Sequence, residues 1–151
     1  MKVQSLVEQT SPLRIVVIED SDAHAKILKW AFDGLESKPR VTFFSDGESA
    51  LANLTNVARS DFVAPDLVML DLNLPKLGGK QVLRRLKEDP ATSGVPVIVI
   101  SSSSDESDVR TAYELGASTY ICKSGLLSEL RVSLQGILDY WTRFATLPKR
   151  R

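Results

Sequence analysis

Acidic, hydroxyl, aromatic and ammonium side chains recur in this chain at or beside the ends of short apolar runs. Glu19-Asp20 follow Ile15-Val16-Val17-Ile18, and Asp71 follows Leu67-Val68-Met69-Leu70. Ser101 follows Val97-Ile98-Val99-Ile100, and Lys123 follows Tyr120-Ile121-Cys122. Continuous apolar runs of this length read as β-strands covered on both faces. In an open parallel sheet such strand ends converge on one crevice, where ligands bind. Separate carboxylates gathered at one point repel each other unless a cation sits among them. The residue types therefore suggest a metal-dependent reaction or a charge-controlled switch.

Each residue also has an ordinary reading. Asp71 opens Asp-Leu-Asn-Leu-Pro, and Asp and Asn both stabilise turns. Lys123 read alone is a surface lysine. Ser101 begins a run of serines through Ser104, which reads equally as loop, and Tyr120 reads as core. What favours chemistry is their convergence. Three acids, Glu19, Asp20 and Asp71, at one strand mouth would suit Mg2+, which takes a few carboxylates, carbonyl oxygens, waters and phosphate oxygens. Lys123 then projects toward the acids, and Ser101 offers a hydroxyl to the same space.

The elements that must position these residues alternate along the chain. A fifth and weaker apolar run, Val41-Thr42-Phe43-Phe44, lies between the first acids and Asp71. Helical stretches separate the runs. Ser21 or Asp22 caps a helix expected to turn Ala23, Ile27, Trp30 and Ala31 inward. Asp46 starts a second, with Ala50, Leu51 and Leu54 inward. A third begins near Gly78, carries Val82, Leu83 and Leu86, and must end by Pro90. Asp105 caps a fourth, carrying Val109, Ala112 and Tyr113 to Gly116. The last runs from about 126 to 144. Five strand-then-helix units with right-handed crossovers predict a doubly wound α/β fold with a five-stranded parallel sheet. The flavodoxin-like order 2-1-3-4-5 suits that number of strands.

Composition narrows the function classes. The 151 residues amount to one ordinary domain, large enough for a core without disulfides. Lys+Arg and Asp+Glu both number 19, so net charge is zero, which argues against a broadly basic nucleic-acid binder. The single cysteine, Cys122, excludes an internal disulfide and fits a reducing cytoplasm. No apolar run is long enough to span a bilayer, and the N-terminus lacks the apolar segment of a secretory signal. Residues 1–13 read as a flexible tail, 14–147 as the folded domain and 148–151 as a basic tail, with no output domain.

The chain resembles the receiver domain of two-component response regulators over Arg14 to about Phe144. The matching pieces are Ile-Glu-Asp at 18–20, Asp-Leu-Asn-Leu-Pro at 71–75, Gly78-Gly79, Pro96 through Ser101, Leu-Gly-Ala-Ser-Thr-Tyr at 115–120, and Lys123. The resemblance implies that Asp71 is the phosphoacceptor for a histidine kinase's phosphohistidine. It implies that Glu19, Asp20, Asp71 and the backbone carbonyl of Asn73 hold Mg2+. Lys123 would bind a phosphoryl oxygen and Ser101 another. Tyr120 would turn inward, switching the surface of the fourth helix, fifth strand and fifth helix. Asn73, Ser102 and Ser103 would flank the phosphoryl group. Two departures stand out: Ser124 follows Lys123 where receivers usually carry proline, and Ser101-Ser102 replace the frequent Thr-Ala pair.

Narrower features include Lys-Glu-Asp-Pro at 87–90 and Tyr-Trp-x-x-Phe-Ala-Thr-Leu-Pro at 140–148. These resemble the single-domain regulators paired with cyanobacterial phytochrome kinases, which implies a light signal. On the last helix Leu127, Leu130, Leu134, Leu138 and Trp141 form one apolar stripe. Ile137, Tyr140, Phe144 and Leu147 form a second. One stripe covers a sheet face, and a surplus stripe marks a contact. Ile137, Tyr140, Trp141, Phe144 and Leu147 are accordingly the homodimer candidates, the alternative being a tail folded back on its own domain. The lone His24 reads as solvent-facing on the first helix, or else as a ligand or phosphodonor near the site. Two other functions compete: a phosphohydrolase with an aspartyl nucleophile, which would need an acid where Asn73 stands, and a receiver-like binding module that is never phosphorylated.

Overall fold

The structure is a computed structural model that describes residues 12–55, 58, 61, 63–123 and 126–148. Residues 1–11 of the expected tail, Ser124 and the basic residues 149–151 lie outside the described residues. Five parallel strands form one sheet in the order β2-β1-β3-β4-β5: β1 Arg14–Ile18, β2 Arg40–Phe44, β3 Leu67–Asp71, β4 Val97–Ser101 and β5 Thr119–Cys122. The helices are α1 Asp22–Asp33, α2 Gly47–Leu54, α3 Gly79–Glu88, α4 Glu106–Glu114 and α5 Leu127–Asp139. The expected order and the uncertain second strand are both present.

Side chains alternate across the sheet, as the two-residue strand period requires. Val16, Ile18, Val68, Leu70, Val97 and Val99 pack with α2, α3 and the buried Ala112 of α4. Ile15, Val17, Leu67, Met69, Ile98 and Ile100 pack with α1 and α5. β1, β3 and β4 are inner strands, and β3 and β4 are buried throughout. Strands covered on both faces cannot show an apolar–polar alternation, which is why they read as continuous runs.

Helix faces differ from expectation in places. On α1 the buried residues are Ile27, Leu28, Ala31 and Phe32. Ala23 is exposed, and Trp30 lies outside, 58% exposed, under the guanidinium of Arg131. That cation–π pairing gives the indole a partner on the surface. Ser21 is the cap of α1, its Oγ accepting from the His24 backbone N–H. Asp46 caps α2 through Ser49, and these hydrogen bonds hold its carboxyl below the usual range. Asp105 stands at the start of α4 without a side-chain cap bond. Tyr113 of α4 is half exposed rather than inward.

α5 ends at Asp139 and continues as one π-helical segment, Tyr140–Phe144. The two expected stripes are kept in part. Leu130, Leu134 and Leu138 are buried, and Ile137 and Trp141 pack against the chain's own core. Leu127, Tyr140 and Phe144 are exposed, and Leu147 is half-buried.

Candidate functional site at the strand ends

Strand register dictates which side chains meet. Ile18 pairs with Leu70, so the residues that follow them, Glu19 and Asp71, lie side by side. Both continue the sheet face toward α1 and α5. Lys123 follows Cys122 on the neighbouring edge, two residues past Ile121, whose side chain packs on that same face. Ser101 and Tyr120 belong to the other face, in step with Val99.

Glu19, Asp71 and Lys123 are brought into contact as expected. The Lys123 ammonium donates to Glu19 Oε2 at 2.7 Å and to Asp71 Oδ2 at 3.2 Å. All three groups are withdrawn from water, with side chains 2–6% exposed. Two buried acids beside one cation leave an excess of negative charge. Burial pushes the Glu19 carboxyl up to about 7; the hydrogen bond from Lys123 opposes this, and the nearby Asp71 charge adds to it. Asp20 is exposed, and one carboxylate oxygen from each of Glu19, Asp20 and Asp71 lies within 4.8 Å of the others. This donor set is all oxygen, and it fits a hard divalent cation.

The loop after Asp71 is folded back on it. The Asn73 backbone N–H donates to Asp71 Oδ1 at 2.9 Å, and Asn73 Nδ2 donates to Ser102 Oγ at 2.8 Å. Gly79, the first residue of α3, closes this loop through its N–H to Leu72 O. A Cβ at Gly79 would run into the Asp71 carbonyl and Leu72 Cα. Glycine there is what lets α3 start beside the acid.

On the other face Ser101 is fully buried. Its Oγ accepts from the Ser103 N–H at 3.2 Å. Ser103 Oγ donates to Asp108 Oδ2 at 2.6 Å, and Lys80 Nζ reaches Asp108 Oδ1 at 2.6 Å. Those two hydrogen bonds hold the Asp108 carboxyl below its ordinary range. The Tyr120 hydroxyl donates to the Ser103 carbonyl at 2.8 Å, and Tyr113 Oη accepts from the Tyr120 N–H at 3.1 Å. Ser103 thus joins β4, α4 and β5, and through Asp108 it reaches α3.

Sequence reasoning missed Lys80 and Asp108. Of its two readings of His24 the structure takes the one near the site: the side chain is one-third exposed, and its Nδ1 lies 3.0 Å from Lys123 Nζ and 3.7 Å from Glu19 Oε1. The signal was available, because His24, Ile27, Leu28 and Ala31 fall on one helical stripe. Lys80 and Asp108 carry no local signal; 28 residues separate them. The dimer candidates lie away from this site, at the far end of α5.

The family model described as "Response regulator receiver domain" matches residues 15–135. Response regulator Rcp1 of Synechocystis sp. is 34% identical over 142 residues, covering 93% of this chain and 97% of that protein. The crystal structure of the phosphorylated cyanobacterial phytochrome response regulator RcpA superposes with a TM-score of 0.84 at 36% identity, covering 92% of this chain and all of that one. The Mn2+-bound form of Rcp1 superposes with a TM-score of 0.85 at 34% identity, covering 91% of this chain and all of that one.

Proposed function

The chain belongs to the response regulator receiver family, and on that premise we propose that it accepts a phosphoryl group on Asp71 from a histidine kinase of the phytochrome type. The observation that carries this reading is the simultaneous contact of Lys123 with Glu19 and Asp71 beside the exposed Asp20. An Asp71 carboxylate oxygen attacks the phosphorus of the donor phosphohistidine, the P–N bond breaks, and an aspartyl phosphate forms. Glu19, Asp20, Asp71 and the Asn73 backbone carbonyl would hold Mg2+. When bound, that ion supplies positive charge against the transferred oxygens. Lys123 binds one phosphoryl oxygen. Ser101 turns its hydroxyl toward another and gives up its bond from the Ser103 N–H. Tyr120 follows, and the surface of α4, β5 and α5 changes.

The light signal rests on the relatives: RcpA is a phytochrome response regulator by name, and Rcp1 matches over nearly the whole chain. The receiver domain spans 14–147 on this reading, and the protein works in the cytoplasm as a signalling partner, its own dephosphorylation being slow. It acts as a homodimer through Tyr140 and Phe144, the aromatics that the π-helical segment after α5 leaves exposed. Ile137 and Trp141 contribute less, since they cover the core. No helix among the described residues is long and apolar enough to cross a membrane. A hydrolase reading is disfavoured by Asn73, whose amide is no general acid for a leaving group and donates a hydrogen bond to Ser102 instead.

Beryllofluoride, a phosphoryl mimic, tests the reading. With Mg2+ it is expected to shift the backbone NMR signals of Ser101, Ser103 and Tyr120 in wild type and leave them unmoved in Asp71→Asn. Unmoved signals in wild type would support the binding-module alternative.

A further inference from the structure

An ammonium group has three protons and no lone pair, so burying it requires three acceptors. The Lys123 side chain is 6% exposed, which leaves little room for water to serve. Its acceptors are Glu19 Oε2 at 2.7 Å, His24 Nδ1 at 3.0 Å and Asp71 Oδ2 at 3.2 Å. A nitrogen facing a cationic donor must present its lone pair. The His24 proton therefore sits on Nε2, and the ring is neutral. Burial first, and the Lys123 charge second, hold the His24 imidazole below its ordinary pKa, which agrees with that geometry.

The three acceptors do not share one fate. Glu19 belongs to the acid triple that fits a cation, and a carboxylate turned to a cation is no longer a full partner for lysine. Asp71 loses its negative charge when it becomes an acyl phosphate. His24 Nδ1 alone is changed by neither event. It is also firmly based. Its backbone N–H is capped by Ser21 Oγ at 3.3 Å, and the Ser21 N–H donates to Glu19 Oε1 at 3.1 Å. One turn further on, Ile27 and Leu28 are buried against the sheet. Lys123, by contrast, lies just beyond the end of β5. A lysine that loses its carboxylate partners extends its flexible stem toward water.

We propose that His24 is a positioning residue, which holds the Lys123 ammonium over Asp71 through Nδ1 while the two carboxylates exchange partners. The proposal rests on the phosphoacceptor reading above. It depends on the side chain at 24 rather than on the acids and lysine.

Two measurements test it. The first needs neither metal nor turnover. The 15N shifts of the imidazole in the cation-free protein are expected to show Nε2 protonated and Nδ1 bare. In Lys123→Met the Nδ1–H form should gain population. A protonated Nδ1 in wild type would overturn the proposal. The second is phosphorylation by acetyl phosphate with Mg2+. His24→Ala should slow it by about 10-fold, the loss of one hydrogen bond to a charged group. Asn at 24 places an oxygen close to where Nδ1 stood, so His24→Asn should recover the rate to within about threefold. Mg2+ affinity should change by less than about twofold in both, and His24→Ala should cost nothing further in a Lys123→Met background. A wild-type rate in His24→Ala, or an equal loss in the Lys123→Met background, would refute it. If wild type takes no phosphoryl group, the phosphoacceptor reading fails with the rate test, while the imidazole shifts still decide whether His24 holds Lys123.

Discussion

Two polar networks meet at the C-terminal edge of the sheet, one on each face, and they are made of different materials. Toward α1 and α5 stand Glu19, Asp71, Lys123 and His24, nearly all withdrawn from water. Toward α3 and α4 stand Ser101, Ser103, Tyr120, Asp108 and Lys80, linked mostly by hydroxyl and backbone bonds. The first stores charge that burial makes costly to leave unbalanced. The second can exchange hydrogen-bond partners without moving charge through an apolar region. The division suggests that charge changes on one face and shape on the other, with Asp71 and Ser101 as the neighbours between them.

Lys123→Ala should separate the networks most sharply. Removing a preorganised donor costs about 100-fold or more in rate, so phosphorylation by acetyl phosphate should fall by that order. Cation binding, followed by calorimetry, should persist. Loss of both together would mean that Lys123 shapes the acid site as a whole. Next in size is Gly79→Ala. The added methyl meets backbone on the Asp71–Leu72 side, and overpacking of that kind costs about 2 kcal/mol. Urea denaturation should register it, and an unchanged midpoint would contradict the close approach of α3.

The pH dependence follows from Glu19, raised from 4.5 to about 7 chiefly by burial. Between those values the folded protein holds a proton that the unfolded chain releases. The cation-free protein should therefore lose stability as pH rises from about 4.5 through about 7. Mg2+ must displace that proton, so its affinity should rise about tenfold per pH unit below 7 and level off above. Thermal shifts by Mg2+ should be larger at pH 8 than at pH 5.5; equal shifts would remove Glu19 from the cation site. The smallest effect is expected on the other face. Asp108→Asn disturbs a partly exposed pair with Lys80 and should leave cation affinity and phosphorylation rate within about twofold. NMR signals of Ser103 and Tyr120 should nevertheless move. A large loss of rate would mean that the two faces are not separable.

How much of this was legible in the sequence depends on the range of the forces involved. The strand-end positions of Glu19, Asp71 and Ser101 were readable, because apolar runs and turn residues are local; the sheet order came from analogy with the flavodoxin-like fold, since pairing between distant strands leaves no local signal. Lys123 was readable as a partner of the acids only through the inferred topology. The near-site reading of His24 is the weaker of the two in the sequence because Trp30, which lies outside against Arg131, phases α1 the other way. Phasing on Ile27 and Leu28 turns His24 inward. The Lys80–Asp108–Ser103 chain joins α3 to α4 across the sheet edge, and nothing in either segment announces the other. The aromatics of the C-terminal segment were readable too: Trp141 packs on the core while Tyr140 and Phe144 face out, as the two stripes imply, whereas the π-helical form of Tyr140–Phe144 has no local signature in the sequence.

The central claim is that Asp71 accepts the phosphoryl group. Intact mass after incubation with acetyl phosphate and Mg2+ tests it most directly, on wild type and Asp71→Asn side by side. The account predicts a gain of one phosphoryl group in wild type and none in Asp71→Asn. Equal gain in both proteins would contradict it, because the acceptor would then lie elsewhere.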